Sequence, residues 1–298
     1  MEFGVFAQLF VPQFERDQDA HAEHKRIFRN VEIAKTADRN AFKYVWCPQH
    51  HFLDEYSHMP GPEAFLGYCA GQTERVHLGS AIFNITPPVN KPQRIAENVA
   101  LLVHLTDNRF EFGTGRGSSS TEVLGFDIPS VDLTKAMWRE AIHEIQKMWK
   151  NASYSYEGEF FRMPERKVFP KPNGPLHPAM WVAGGSPGTF TEAGELGLGV
   201  FCFAIGRPRD MEPLLRAYKA AIPNATPVGD YVNDNIMGVT NMLCMEDRNK
   251  AFETASNMGM NYYSTLAYHW LDNVPRPKHV PAWPEKIPEP TPDQVERL

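Results

Sequence analysis

Short apolar runs alternate with segments of helical period along most of the chain. Residues 2–8 and 44–46 have the apolar pattern of strands, and residues 24–41 between them place Ile27, Val31 and Ala34 on one helical face. Alternation of this kind is typical of repeated β-α units around a parallel sheet. The pattern therefore predicts an α/β fold.

The alternation continues through seven strand and helix units. The predicted strands are residues 2–8, 44–46, 76–83, 109–113, 180–183, 199–203 and 236–245. The predicted helices are residues 24–41, 62–73, 93–105, 132–150, 189–196, 208–222 and 247–258, and a small hairpin at 154–162 interrupts the repeat. Because a TIM-type barrel is built from eight such units, we predict a TIM-type (β/α)8 barrel whose eighth β/α unit is missing from this chain.

The end of the sequence is rich in proline, with seven prolines between residues 275 and 292. Proline fixes φ and has no backbone N–H, so this stretch is excluded from helices and central strands. We predict one barrel domain over residues 1–298, with a Pro-rich lid or loop at about 262–298. The missing eighth unit has three explanations: an open barrel, a truncated sequence, or another element in its place.

Charge and cysteine content narrow the class of protein. The 298 residues carry a formal net charge of -6 without a concentrated basic patch, which argues against nucleic acid or an anionic membrane surface as a partner. The four cysteines include no Cys-x-x-Cys pair, and the sequence shows neither a signal-peptide pattern nor an apolar run of membrane-spanning length. We expect a cytoplasmic protein with reduced thiols.

Three segments of unusual composition follow predicted strands two, four and five. They are residues 48–52 (PQHHF), 113–120 (GTGRGSSS) and 183–189 (AGGSPGT). In a β/α barrel the loops that follow the strands all open on the same face, which is where active sites lie. We therefore expect the three segments to line one pocket.

Two of these segments suit a phosphate group. Arg116 lies in a glycine-rich turn that offers a guanidinium flanked by backbone amides, although such a turn alone also serves simply to reverse the chain. The 184–189 turn leads directly into a helix, so its amides and the Ser186 and Thr189 hydroxyls form a second anion site. Two such turns on one rim favour a phosphorylated cofactor.

His50 and His51 stand next to each other in the first segment. In extended backbone, adjacent side chains project in different directions, so one imidazole can face the pocket while the other packs against a neighbour. A metal site is disfavoured, because neither a partner at helical spacing nor a suitably placed carboxylate accompanies the pair. A pocket-facing imidazole would act as an acid, a base or a hydrogen-bond donor, and a purely structural histidine is the alternative.

Several motifs taken together resemble the bacterial-luciferase-like flavin-dependent monooxygenase superfamily. The matching positions run in order from residue 1 to about 260. They include Val45-Trp46 before His50-His51-Phe52, Pro87-Pro88-Val89 before Arg94-Ile95-Ala96-Glu97, and residues 108–113 before Gly115-Arg116-Gly117. The resemblance implies a monooxygenase that takes reduced FMN from a separate flavin reductase and uses O2 to oxygenate a small organic substrate. The sequence has no Gly-x-Gly-x-x-Gly turn for a nicotinamide cofactor, which agrees with a separate reductase.

The resemblance also implies roles for individual residues. His50 matches the family's catalytic histidine, and Glu122 falls at an acidic position near the flavin. Ala81-Ile82 falls where the family often has a non-proline cis peptide bond beneath the isoalloxazine ring, and both residues are implied to bind the cofactor. The residues implied to surround the FMN phosphate are Arg116, Gly117, Ser118, Gly184, Gly185, Ser186 and Thr189.

Two positions depart from the family pattern. Gln49 replaces a glutamate in the histidine motif, and Val103 replaces an aspartate in a Leu-Leu-Asp sequence, so two carboxylates have become uncharged. The change at Gln49 motivates an alternative function, a non-catalytic flavin-binding partner subunit of a luciferase-like heterodimer. A dehydrogenase that uses a deazaflavin in the same barrel is a third hypothesis. The organic substrate is not readable from the sequence, because specificity in such barrels lies in the loops.

The resemblance further predicts a homodimer, or a heterodimer with a related chain, formed through the helices at 62–74 and 93–105. Val103 would make that surface more apolar if its side chain faced outward. The helical period of the second helix predicts a buried face made of Ile95, Val99, Leu102 and Leu105.

Overall fold

The computed structural model describes residues 1–53, 56–117, 119–204 and 208–265. Ten strands lie within these ranges. They are β1 (Gly4–Phe6), β2 (Tyr44–Cys47), β3 (His77–Ser80), β4 (Phe83–Asn84), β5 (Phe110–Gly115), β6 (Tyr154–Glu157), β7 (Arg162–Arg166), β8 (Ala179–Ala183), β9 (Gly199–Phe203) and β10 (Ile236–Val239).

Seven strands form one continuous sheet in the order β1-β2-β3-β5-β8-β9-β10, and the short β4 pairs with β5. Every pairing in this sheet is parallel; in one of them Val45 of β2 lies opposite Leu78 of β3. The sheet curls on itself, which brings the rings of Phe6 on β1 and Phe203 on β9 to within 6.3 Å of each other. The result is a nearly closed barrel with β1 and β10 at its two edges.

The predicted TIM-type barrel with seven countable units is thus confirmed. No eighth β/α unit is found within the described ranges. Of the lid or loop predicted at about 262–298, residues 262–265 belong to the last helix and the remainder lies outside the described residues.

Nine α-helices connect the strands of the described residues. They are α1 (Gln13–Gln18), α2 (Ala22–Arg39), α3 (Pro62–Ala70), α4 (Pro92–Leu105), α5 (Ser120–Gly125), α6 (Leu133–Lys150), α7 (Pro187–Glu195), α8 (Glu212–Ala221) and α9 (Arg248–Thr265). Three of them, α3, α4 and α7, begin with proline, whose fixed φ suits the first helical position and whose missing N–H would have had no partner there. Among the described helices, none is long and apolar enough to span a membrane.

The element boundaries differ from the predicted ones in a few places. The strand predicted at 76–83 is two strands, β3 and β4, with a cis peptide bond between Ala81 and Ile82 separating them. The strand predicted at 236–245 ends already at Val239. The helix predicted at 208–222 begins as a short 3-10 turn, Pro208–Met211, before α8. The helices α1 and α5 were absent from the prediction.

Two parts of the hydrophobic core lie on the two sides of the sheet, and a third, small cluster joins α5 to α6. The larger part fills the space between the sheet and the surrounding helices, and it includes Val31 of α2, Ile95 of α4 and Ile142 of α6. The smaller part lies inside the barrel, where Trp46 of β2 contacts Trp181 of β8 with ring centroids 5.4 Å apart. The barrel interior is therefore largely aromatic.

Two predictions about buried helix faces, at Leu105 and Ile27, are wrong. Val103 is only 2% exposed and belongs to the core, so the condition under which it would make the outer surface of α4 more apolar is not met. Leu105, expected in the core, is 52% exposed because it ends the helix on the same outward stripe as Leu101. On α2, Ile27 is likewise exposed, at 39%, since the buried stripe of that helix runs through Val31 and Ala34.

Candidate active site

The three segments singled out in the sequence follow β2, β5 and β8 and lie at the carboxyl ends of these strands. β5 and β8 are hydrogen-bonded neighbours, with Thr114 opposite Val182, so the Arg116 turn and the 184–189 turn leave the sheet side by side. β2 is separated from β5 only by β3. Because all these strands are parallel, the three segments lie on one rim of the barrel.

His50 and Glu122 form the ionisable pair of this rim. His50 Nδ1 lies 3.2 Å from Glu122 Oε1, and the backbone N–H of His51 donates to the same oxygen over 2.9 Å. The backbone N–H of His50 donates to the Met59 carbonyl, and its ring lies against Tyr56 with centroids 4.7 Å apart. Among the described residues, His50 Nε2 has no hydrogen-bond partner.

Glu122 lies on the short helix α5, which the apolar pattern of the sequence does not predict. Ser119 is the N-cap of this helix, and its hydroxyl accepts the backbone N–H of Glu122 over 3.2 Å. A serine followed three residues later by glutamate is a recognised start signal for a helix, and that signal was available in the sequence. The Glu122 side chain is buried, and its Oε2 has no partner within the described part of the chain.

His51 has different surroundings from His50. Its ring packs edge-on against Phe126 at 4.8 Å and lies 5.9 Å from the Phe52 ring. Its Nε2 lies 2.9 Å from Gln49 Nε2. Burial lowers the pKa of His51, and the nearby Glu122 offsets part of that effect. The two adjacent histidines therefore project into different environments, as expected for extended backbone.

Arg116 donates to neutral acceptors in the part of the chain that the structure describes. Its Nη1 donates to the Thr134 hydroxyl over 2.9 Å and to the Val131 carbonyl over 3.4 Å, both neutral acceptors. Burial lowers the pKa of the guanidinium, and the more distant Asp132 and Glu192 raise it. Among the described residues, none of the acidic side chains reaches ion-pair distance of Arg116.

The 184–189 turn forms the N-terminus of α7. Ser186 is the N-cap, and its hydroxyl accepts the backbone N–H of Thr189 and lies 3.1 Å from the Thr189 hydroxyl. Gly185 and Gly188 border open space, since a Cβ at either position would meet no atom within 4 Å. Gly184 is tightly placed, with Thr189 Cγ2 only 2.7 Å from such a Cβ. This turn thus presents free volume directly in front of a helix N-terminus.

The expected cis peptide bond between Ala81 and Ile82 is confirmed. Both residues are half-buried and pack against the aromatic cluster inside the barrel. The Ala81 N–H donates to the Cys47 carbonyl over 2.7 Å, which fixes the bond beside the end of β2. Gly115 has to be glycine here, because a Cβ would lie 2.7 Å from Ile82 Cγ1.

Two further positions of the phosphate turn stand apart. Gly117 adopts a φ of +78°, a left-handed conformation that favours glycine, and it lies close to the Asn84 side chain. Ser118 lies outside the described residues.

Asn84 and Asn90, both buried beside Gln49, were not singled out in the sequence. The position of Asn84 after the third predicted strand, on the same rim, is the signal that could have found it.

Comparison with known proteins now bears on this arrangement. The model of the family described as luciferase-like monooxygenase matches residues 1–282. The chain belongs to the luciferase-like monooxygenase family. The resemblance found in the sequence is confirmed, because the match covers the barrel and all three rim segments.

Members of this family that resemble the chain have several activities. The oxygenase component of a flavin-dependent trigonelline monooxygenase from Acinetobacter baylyi is 27% identical over 202 residues, which cover 67% of this chain and 53% of the relative. An F420-dependent glucose-6-phosphate dehydrogenase from Kineococcus radiotolerans is 29% identical over 208 residues, covering 68% and 60%. The chain thus spans little more than half the length of these luciferase-like relatives.

A solved structure supports the same fold. The oxygenating constituent of 3,6-diketocamphane monooxygenase from Pseudomonas putida, solved in complex with FMN, superposes with a TM-score of 0.74 at 19% identity. The superposition covers 90% of this chain and 74% of that structure. It shows that the seven-unit barrel described here has the same fold as that monooxygenase subunit.

Proposed function

We propose that this chain is the oxygenase of an FMN-dependent monooxygenase, which uses reduced FMN and O2 to oxygenate a small organic substrate. The observation that carries the proposal is the uncompensated charge of Arg116 beside the turn that opens α7. A phosphate dianion supplies the missing countercharge, and the α7 amides offer it further donors. The bound group is therefore expected to be a phosphorylated cofactor.

The remaining features of the rim fit FMN. Gly185 and Gly188 leave space for a phosphate in front of α7. Ala81 and Ile82 pack against the aromatic interior, and Ile82 lies beside Gly115 of the Arg116 turn, so we place the flat ring system of the flavin next to them. Gly117, Gly184, Ser186 and Thr189 complete the proposed cofactor-binding set, together with Ser118 from outside the described residues.

The protein's own part in the reaction falls to His50 and Glu122. Reduced FMN, when bound, supplies the electrons for the chemistry of O2. Glu122 Oε1 holds His50 at Nδ1, which leaves Nε2 as the nitrogen that can exchange a proton with a bound reactant.

The barrel interior favours an apolar substrate. Trp46, Trp181 and Phe201 form a cluster that is almost fully buried, and the half-buried Ile82 packs against it. This cluster makes the barrel interior apolar, and the partly buried side chains at its edge, such as Ile82, are the surface that a small hydrophobic molecule could contact. We propose an apolar organic molecule as the substrate class, and no metal takes part in the proposal.

The relatives support a separate reductase and FMN, and they also suggest F420 as an alternative cofactor. The Acinetobacter relative is named as an oxygenase component, which supports a separate flavin reductase as a partner of this chain. The diketocamphane monooxygenase binds FMN, which supports FMN as the cofactor. The Kineococcus relative instead uses F420, so a deazaflavin-dependent dehydrogenase is the second candidate.

An anaerobic titration separates the candidates. The chain is titrated with reduced FMN and, in parallel, with reduced F420, and each complex is then mixed with oxygen. We expect saturable binding of reduced FMN and a reaction with oxygen whose rate and spectra differ from those of free reduced FMN. Preference for F420 would favour the dehydrogenase. Binding of FMN with an oxygen reaction identical to that of free flavin would favour the non-catalytic partner subunit.

A further inference from the structure

Gln49 lies at the centre of a buried polar network beside the histidine pair. Its side chain is 6% exposed. Its Oε1 accepts the backbone N–H of Asn84 over 2.9 Å and the Asn90 side-chain amide over 3.2 Å. Its Nε2 lies 2.9 Å from His51 Nε2 and 3.5 Å from the Pro60 carbonyl oxygen. The amide therefore joins the histidine segment to the strand that follows the cis peptide bond.

The backbone of Asn84 fixes the orientation of the Gln49 amide. A backbone N–H can only donate, so the Gln49 atom facing it has to be the oxygen. The amide nitrogen then faces His51 Nε2 and the Pro60 carbonyl, and it can only donate to both. A ring nitrogen that accepts a hydrogen bond carries no proton. His51 Nε2 is therefore unprotonated.

We infer that Gln49 is a positioning residue that holds the His51 ring neutral, with its single proton on Nδ1. A glutamate at this position would keep the bonds from Asn84 and Asn90. Its second oxygen, however, would face His51 Nε2 and favour a proton there, and thus the imidazolium form. Replacement of the family's glutamate by Gln49 therefore changes His51 from the imidazolium form to the neutral form.

The consequence concerns the charge of the histidine pair. Among the described residues, the charged or titratable groups that face His51 are Glu122, His50 and Glu63. With His51 neutral, His50 is the one imidazole of this pair that can exchange a proton beside Glu122. This consequence for catalysis rests on the function proposed above, whereas the protonation state of His51 does not.

The test is a long-range ¹H–¹⁵N correlation spectrum of protein labelled with ¹⁵N-histidine, recorded across pH without flavin. The His51 signals are assigned by their loss in His51→Asn. We expect a protonated Nδ1 and an unprotonated Nε2 in the parent at neutral pH. In Gln49→Glu we expect a protonated Nε2 and a His51 pKa raised by about 1 or more.

Two results would overturn the inference: a parent His51 with its proton on Nε2, or a His51 protonation state that Gln49→Glu leaves unchanged. If Gln49→Glu does not fold, the parent spectrum alone decides, because Nε2 protonation contradicts the inference directly. A second readout is the pH profile of the oxygen reaction with reduced FMN, which should change shape in Gln49→Glu. Failure of the parent to bind FMN would refute the proposed function. The spectra of His51 are recorded without flavin and would still test its protonation state.

Discussion

The side chains of His50 and Glu122 meet although 72 positions separate them in the sequence, with Nδ1 3.2 Å from Oε1. The first residue follows β2, and the second lies in the first turn of α5. The same carboxylate oxygen also accepts the backbone N–H of His51. Glu122 therefore both orients the catalytic candidate and holds the histidine segment in place.

His51→Ala should lower stability more than reaction rate. The ring packs against Phe126 and receives a hydrogen bond from Gln49, so its removal leaves a small cavity and a buried amide that keeps only the 3.5 Å contact with the Pro60 carbonyl. We expect a loss of about 1–3 kcal/mol in the free energy of unfolding. Urea unfolding of His51→Ala beside His50→Ala measures this. A larger loss of stability in His50→Ala than in His51→Ala would contradict the division of roles.

Arg116→Ala should weaken FMN binding. The substitution removes the charge-assisted hydrogen bonds expected between the guanidinium and the phosphate, for a loss of about 2 kcal/mol, or about 30-fold in Kd. Fluorescence titration with FMN provides the measurement. Arg216→Ala is the matched control, because Arg216 pairs with Glu212 on the exposed face of α8. An unchanged Kd in Arg116→Ala would remove this residue from the site.

Stability should decrease as the pH falls below about 6.5, in part through His177. Its Nδ1 donates to the Pro178 carbonyl and its Nε2 accepts the Asp230 N–H, so the folded protein requires a neutral ring. Burial lowers the pKa of His177 from its ordinary value of 6.5. The unfolded chain therefore binds a proton first as the pH falls, and the equilibrium shifts towards unfolding until the folded-state pKa is reached.

Urea unfolding at pH 5.5 and 7.5 tests the role of His177. His177→Asn should be less stable than the parent at the higher pH but should lose less stability between the two. An equal pH dependence in parent and variant would show that other groups, such as His51 and His143, whose pKa values burial also lowers, account for the effect.

The chain should form dimers through the outer faces of α3 and α4. Tyr68, Leu101 and Leu105 are all exposed there, and the ring of Tyr68 contacts the exposed Phe28 of α2. Such an apolar patch on a soluble surface is typical of an interface. Leu101→Glu should shift sedimentation at micromolar concentration towards the monomer, while Phe252→Glu on α9 should not. A monomeric parent would refute the homodimer and leave the heterodimer with a related chain.

The sequence was sufficient for the seven β-α units and for the rim, because both depend on local patterns. Alternating apolar runs located the seven strands of the barrel, and the loops after them carry His50, Arg116 and the 184–189 turn. Parallel strand order then places such loops on one side without further information. The exposure of Leu105 and the burial of Val103 depend instead on which neighbouring helix covers α4, and periodicity alone does not contain that.

The polar network of the site was harder to predict. Gln49 contacts Asn84 and Asn90, which lie 35 and 41 positions away, and no local pattern connects them. Only the folded barrel brings these amides together. The role of Gln49 in a buried hydrogen-bond network is therefore visible in the structure and not in the sequence. Glu122, by contrast, could have been placed from the Ser119 cap that precedes it.

The most direct test of the account is rapid mixing of reduced-FMN-loaded protein with oxygen, comparing the parent with His50→Ala. Because Glu122 holds His50 at Nδ1, Nε2 is the nitrogen that can exchange a proton. The substitution removes this nitrogen and leaves the phosphate site unchanged. We predict FMN affinity close to that of the parent and a reaction slowed by about 10²–10⁴-fold, the usual contribution of general acid or base catalysis. Spectral changes at the parent rate in His50→Ala would contradict the central claim that this histidine carries the chemistry of the site.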